Sequence, residues 1–330
     1  MLPPQPHDGR LPRGTILGSR YAIATVLRDD GATPLYIGTS SQEREGPIMI
    51  EVVPHDFALV EHHTNAARRF RREVQVLQTL KHPALPILLD AFTQDERHYL
   101  VMRYQPGEPL ATMLMRRGSP FAEDDVVGWA LDILSALQVF HRHVPPLVYR
   151  NLKPSSLIID PWGMLHLLDF GLVRVCTPGK SRDTAPIGAP GYAPPEQTEG
   201  ATDPRTDLFA LGMTLYHLLT NEHPAAQPPT TRRLTLANLT VSAAVADIVA
   251  RAMHPDPHGR WATAADMELA LRRQILQRTG AGTPAPGVLV RDTRSTTIPA
   301  PGGRLLISSA SLSSGRDEAL YHLARLTWLS

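Results

Sequence analysis

A change of hydrophobic period near Gln105-Pro106-Gly107 constrains this chain more than any other feature. Before it, apolar residues alternate in short runs rich in β-branched side chains: YAIATVL from Tyr21, PLYIGTS from Pro34 and PIMIEVV ending at Val53. These read as three strands with turns at Asp29-Asp30-Gly31 and Glu45-Gly46. Two later runs, ALPILLDAF and HYLVMRY, read as further strands. One helical pattern interrupts them, from about Asn65 to Leu80. Its apolar residues Phe70, Val74 and Leu77 are spaced by four and three, and arginines cover the rest. After the connector, Arg103 to Gly107, helical periods dominate, as in EDDVVGWALDILSALQVFHRH and DLFALGMTLYHLLTN. A strand face repeats every second residue and a helix face about every 3.6, so neither pattern can serve as the other. The expected fold class is α+β. A small β-rich lobe with one main helix, about 16–104, precedes a larger helical lobe, about 105–277.

The flanks differ in kind. Residues 1–15 are rich in Pro and Gly and are expected to be disordered. Beyond Gln277, GAGTPAPG and STTIPAPGG mark a flexible linker, 278–304, too rich in Gly, Pro and Thr to bury a core. The tail, 305–330, places Leu320, Leu323 and Leu326 three apart in DEALYHLARLTWLS. That is a short amphipathic helix that needs a surface to dock on. No internal repeat is evident.

Composition removes several function classes. With Lys and Arg numbering 33 against 32 Asp and Glu, the net charge of +1 gives no bulk field for nucleic acid or an anionic membrane. A single cysteine, Cys176, forms no internal disulfide and suits a reducing compartment. No run approaches the roughly 20 apolar residues that cross a bilayer, and the N-terminus has no signal-peptide core. The expectation is a cytoplasmic protein without nucleic acid or membrane insertion among its interactions.

A series of motifs then appears in a fixed order: Glu73 in RREVQVL, LVMRY at the connector, RNLKP, LLDFG, GYAPPE, DLFALG and DPHGRW. Over about Tyr21 to Leu276 the chain resembles the eukaryotic-type serine/threonine protein kinases, in the style of their bacterial members. The resemblance implies a bilobal kinase-like fold with ATP and Mg²⁺ between the lobes. Residue by residue, the chemistry departs from the pattern while the scaffold keeps it.

The resemblance places a glycine-rich phosphate loop at Arg28 to Thr33, but RDDGAT holds glycine at none of the three expected positions. Asp29 and Asp30 add negative charge, so a solvated β-turn is the expected structure. The lysine that anchors ATP is replaced by Glu51, and a carboxylate repels a polyphosphate. Met49 stands where a small residue would roof the adenine, which fits core packing and a filled pocket alike. Met102, Arg103, Gln105 and Ile158 fall at the remaining positions of the remnant pocket. Glu73 would pair with the lysine; here it would face Glu51. Two carboxylates about 4 Å apart repel by roughly 4 kcal/mol at an effective dielectric of 20. The helix bearing Glu73 swings out, one acid keeps a proton, or an arginine intervenes, Arg28 and Arg72 being the candidates.

In the catalytic loop, Asn151 stands for the aspartate base and cannot accept a proton at neutral pH. Ser156 stands for a metal-binding asparagine and is shorter and weaker. Lys153 and Arg150 remain, the first at the position that meets a γ-phosphate, the second at one that binds a phosphorylated segment. Asp169 of Asp169-Phe170-Gly171 remains as the metal ligand, or as a turn cap. Tyr149 replaces a packing histidine. Structural positions are kept: Glu196 with Arg260 as a buried ion pair, and Asp207 holding the loop backbone. Thr177, Ser181 and Thr184 are candidate phosphate acceptors.

The expected function is therefore a catalytically impaired kinase-like domain, a pseudokinase acting as a signalling scaffold or allosteric module. Its partner would be another protein, an active kinase or a kinase substrate. No cofactor is expected beyond at most weak ATP/Mg²⁺ binding. The competing reading is an active serine/threonine kinase with relocated groups, drawing on Lys153, Asp169 and Arg28.

Overall fold

A computed structural model describes residues 10–28, 34–42, 46–53, 70, 74–75, 77–95, 97–170, 172–176, 188–198, 202–226 and 240–279. Packing divides the chain into Met1–Ile275 and Leu276–Ser330. Of the second unit, residues 276–279 are described, as the end of a helix. Residues 1–9, the expected linker from 280 onward and the tail helix lie outside the described residues, as do Glu73, Arg72 and the acceptors Thr177, Ser181 and Thr184; residues 278–279 of the expected linker are helical.

The N-terminal lobe is an antiparallel sheet of β1 (Ile16–Leu17), β2 (Tyr21–Arg28), β3 (Leu35–Ser40), β4 (Pro47–Val53), β5 (Leu88–Gln94) and β6 (Arg97–Arg103), ordered β1-β2-β3-β4-β6-β5. Alternation assigns its two faces. Tyr36, Ile48, Ile50, Tyr99 and Val101 form one buried cluster with Tyr21 and Ile23. Leu35, Met49, Leu100 and Met102 face the other way and join the main core. Burial on both faces explains the unbroken apolar run Ile48-Met49-Ile50. Helical residues 74–75 and 77–79 follow the expected helix, with Phe70 and Val74 buried in the main core.

The connector leads through β7 (Glu108–Pro109) into α1 (Leu110–Arg117) and α2 (Glu123–His141). Gly107 lies against β9 (Leu157–Ile159): a Cβ there would meet the Ile159 carbonyl oxygen at 2.6 Å. No other residue allows the two backbones so close. Three acids in the first turn of α2, Glu123, Asp124 and Asp125, complement its dipole. The short pairs β8 (Leu147–Val148) with β11 (Arg174–Val175), and β9 with β10 (Leu165–Leu167), hold the loops of the cleft.

Beyond a short α3 (Pro195–Thr198), helix α4 (Pro204–Thr220) is the pillar of the helical lobe. Asp203 caps it, accepting from the Arg205 N–H, and Pro204 opens it. Asn221 ends it in the left-handed conformation. Every residue from Thr206 to Tyr216 is buried, so α4 is apolar nearly all round. At Gly212 it approaches α5 (Ala243–Ala252), where a Cβ would lie 2.8 Å from Met253 Cγ. The last helix, α6 (Ala264–Thr279), runs past Gln277. This is a bilobal α+β architecture, as the resemblance implies.

Candidate functional site in the cleft

The cleft is built from one row of the N-terminal sheet and two loops of the helical lobe. Across the sheet, Arg28 opposes Leu35, and Leu35 opposes Glu51. Directly opposed residues share a face, so all three point toward the cleft. Arg28 reaches this row because a register shift lies between Val26 and Arg28. An extra residue in one strand re-aims the side chain that follows it. Arg28 is therefore no solvated turn residue: its side chain is 9% exposed. That corrects the expectation for the start of the RDDGAT stretch; residues 29–33 lie outside the described residues.

Arg28 Nη1 sits 2.6 Å from Asp169 Oδ2. The same oxygen accepts from the Asn151 side-chain amide. Glu51 is fully buried, and its Oε2 accepts the Phe170 backbone N–H at 2.9 Å. Burial pushes the Glu51 carboxyl well above its usual range. The Asp169 charge and a hydrogen bond to Asp169 add to the rise, while Arg28 and the Phe170 amide oppose it. Arg28 thus pairs directly with Asp169, and Glu51 lies next to that pair with its carboxyl shifted toward the protonated form by burial and by the Asp169 charge. The expected conflict of Glu51 with Glu73 lies outside the described residues; among them, the acid that Glu51 meets is Asp169.

The catalytic loop is held from behind. Asp207 accepts the backbone N–H groups of Tyr149 at 2.9 Å and Arg150 at 2.8 Å. It also lies 2.9 Å from His141 Nε2. Arg150 donates through Nε to the Leu172 carbonyl at 2.9 Å, and Gln197 donates to the Arg150 carbonyl at 3.0 Å. These bonds hold Arg150 at φ 67° and help seat Asp169 at φ 74°, left-handed conformations that cost a non-glycine residue about 1 kcal/mol or more. Arg150 is buried, where the resemblance had it receiving a phosphorylated segment. Tyr149 packs edge-on against Phe170 at 5.8 Å and donates its hydroxyl to the Leu168 carbonyl. Phe170 also stacks on Phe140.

Ser156 differs from its expected role. Its hydroxyl is committed to the Asn151 and Lys153 carbonyls at 2.7 and 2.9 Å, and accepts the Lys153 N–H at 3.1 Å. It braces the loop through these bonds. Lys153 is buried beside it. Of the remnant pocket, Met49 and Met102 are buried partners in adjacent strands, and Ile158 is buried in β9. Arg103 is exposed and Gln105 half-buried. Arg103 gives its N–H to the Ile87 carbonyl. Glu196 and Arg260 meet in a two-point ion pair, Nη1 to Oε1 at 2.5 Å and Nη2 to Oε2 at 2.8 Å. Gln197 and His141 gave no sequence signal, since their partners are distant backbone and side-chain groups.

Comparison with known proteins places this geometry. The model of the protein kinase domain matches residues 52–270. The serine/threonine-protein kinase PrkC of Bacillus subtilis is 29% identical over 276 residues, 78% of this chain and 41% of the relative. The serine/threonine-protein kinase PknL of Mycobacterium tuberculosis is 31% identical over 211 residues, 63% of this chain and 51% of the relative. The chain thus spans about half, or less, of the length of these curated relatives. The crystal structure of the PknI kinase domain of Mycobacterium tuberculosis superposes with a TM-score of 0.64 at 22% identity, covering 80% of this chain and 100% of that one. At that identity it supports the fold alone.

Proposed function

Given that this chain belongs to the protein kinase family, in its bacterial serine/threonine branch, we propose that it is a catalytically impaired member whose work is to bind another protein. One observation carries the reading. The two charged positions that would meet nucleotide and metal, Glu51 and Asp169, are turned on each other and on Arg28. ATP with Mg²⁺ does not fit these residues as they stand. Asp169 already holds a guanidinium and an amide on one oxygen, and Glu51 offers a polyphosphate no positive charge.

The loop argues the same way. Asn151 has no basicity at neutral pH and directs its amide into Asp169. Loss of a general base alone typically costs about 10²–10⁴-fold. What remains intact is scaffold: Asp207 behind the loop and the Glu196–Arg260 pair. A scaffold of this kind serves as a signalling or allosteric module, with an active kinase or a kinase substrate as the fitting partner class.

The second reading is an active kinase with relocated groups. It is favoured by the relatives, which are named serine/threonine-protein kinases, and by the presence of Lys153 and Asp169. Transfer of radiolabel from [γ-³²P]ATP to the chain itself and to a generic basic protein separates the two. The expected result is no incorporation above a blank without protein. Incorporation that Asp169→Ala abolishes would establish the active reading instead.

A further inference from the structure

In this fold, a buried carboxylate at the position of Asp169 needs a positive counter-charge, and its immediate surroundings here supply one. The guanidinium of Arg28 is 2.6 Å from Oδ2, and both side chains are sequestered, at 9% and 0% exposure. That oxygen is occupied by an ion pair with the guanidinium and by a hydrogen bond from the Asn151 amide. The geometry is also built rather than incidental. The register shift before Arg28 turns its side chain into the cleft, and Leu35 separates it from Glu51 along the same row.

We propose that Arg28 acts as a tethered replacement for a divalent cation at Asp169, so that metal ion and arginine compete for one carboxylate and the cleft is closed by the chain's own charge. This deepens the impaired-kinase reading and rests on it. It assigns Arg28 a positioning role: tying β2 to the segment Asp169–Phe170 without ligand. A compact divalent ion approaching Asp169 must first displace a guanidinium that pays no cost of immobilisation from solution. The same arrangement explains how Glu51 is accommodated. With Asp169 neutralised by Arg28, Glu51 spends its oxygen on the Phe170 N–H, which draws strand β4 onto the same segment. Both ties join the N-terminal sheet to the segment that would otherwise depend on metal for its charge balance.

The test uses the full chain and Mn²⁺ alone, read by the loss of the free-ion electron paramagnetic resonance signal. The wild-type protein is expected to bind no Mn²⁺ at millimolar concentration. Arg28→Ala is expected to bind at least tenfold more tightly than wild type, and the double variant Arg28→Ala/Asp169→Asn to lose that gain. Equal Mn²⁺ binding by wild type and Arg28→Ala overturns the proposal, as does a gain that survives Asp169→Asn. Should Arg28→Ala not fold, Arg28→Gln keeps much of the side chain without its charge and is judged by the same outcomes. A second reading comes from amide exchange of the wild type. Protection at Phe170 and Leu172 is expected to be independent of Mn²⁺ and to fall in the Arg28 variant; unchanged protection in the variant counts against the tie. These outcomes are separate from phosphoryl transfer. A wild type that transfers phosphate sinks the impaired-kinase reading, whereas an inactive wild type with metal-indifferent variants sinks the Arg28 inference alone.

Discussion

Among the described residues, one arginine-centred charge cluster of the helical lobe can be set against one of the cleft. In the first, Glu196 and Arg260 balance one for one, with two parallel hydrogen bonds and further carbonyl acceptors for the guanidinium at His254, Arg205 and Pro255. In the second, one arginine pairs with Asp169 while burial and the Asp169 charge push the neighbouring Glu51 carboxyl upward. The first is a closed structural unit. The second is a set of groups placed where a ligand would otherwise supply charge, rearranged to satisfy one another. The difference teaches that one arginine is balanced inside the architecture of the helical lobe while the other answers a carboxylate in the cleft.

The strongest way to sharpen this contrast is to remove the arginine from each. Arg260→Met leaves the mostly buried Glu196 without its guanidinium and is expected to cost about 3 kcal/mol. Arg28→Met is expected to cost less, about 1–3 kcal/mol, because Asp169 keeps the Asn151 amide and the Glu51 hydroxyl as donors. Urea unfolding of both variants measures the order. An equal or larger loss at Arg28 would mean that the cleft cluster is as structural as the other.

Glu51 offers a smaller and more specific break. Glu51→Ala strands the Phe170 N–H and is expected to cost about 1–3 kcal/mol. Glu51→Gln imitates the protonated acid, with an oxygen for Phe170 and an amide for Asp169. The sign with pH follows from the raised folded-state pKa. Well below the usual 4.5 both folded and unfolded chains are protonated and there is no penalty. As pH rises further, the unfolded state ionises first, and Glu51 subtracts from stability until its raised value is reached. Glu51→Gln is therefore expected to gain on wild type between pH 5 and pH 8, read by thermal unfolding across that range. A flat difference contradicts a protonated Glu51. The smallest expected effect is Tyr149→Phe, about 1 kcal/mol for the hydroxyl given to Leu168. Its packing on Phe170 survives, so near-ultraviolet dichroism should keep its native form.

Much of the fold was legible because period is a local property. Alternation located β2 to β4 and β6, and helical patterning located α2 and α4 with ends off by up to about three residues. Helices α1, α5 and α6 were not singled out; α1 is short, with only Leu110 and Leu114 buried. Legibility in the cleft was divided. The substitutions at Glu51, Asn151 and Ser156 stand in the sequence, but their partners do not. Arg28 was named as a candidate cation beside Glu51, but its pairing with Asp169 depends on a strand irregularity and on a carboxylate far along the chain. Ser156 was read as a weak metal ligand, and its hydroxyl is used by the loop's own carbonyls. A substitution shows which contact is lost; only the fold shows which contact replaces it.

The central claim, that the cleft satisfies its own charges and leaves no place for nucleotide with metal, is tested most directly by thermal unfolding of the full chain with ATP and Mg²⁺, repeated with ATP and EDTA. A ligand present at 100 times its dissociation constant stabilises by about 2.7 kcal/mol and raises the melting temperature by several degrees. The account predicts no shift at millimolar ATP under either condition. A clear rise with Mg²⁺ that disappears with EDTA would contradict it.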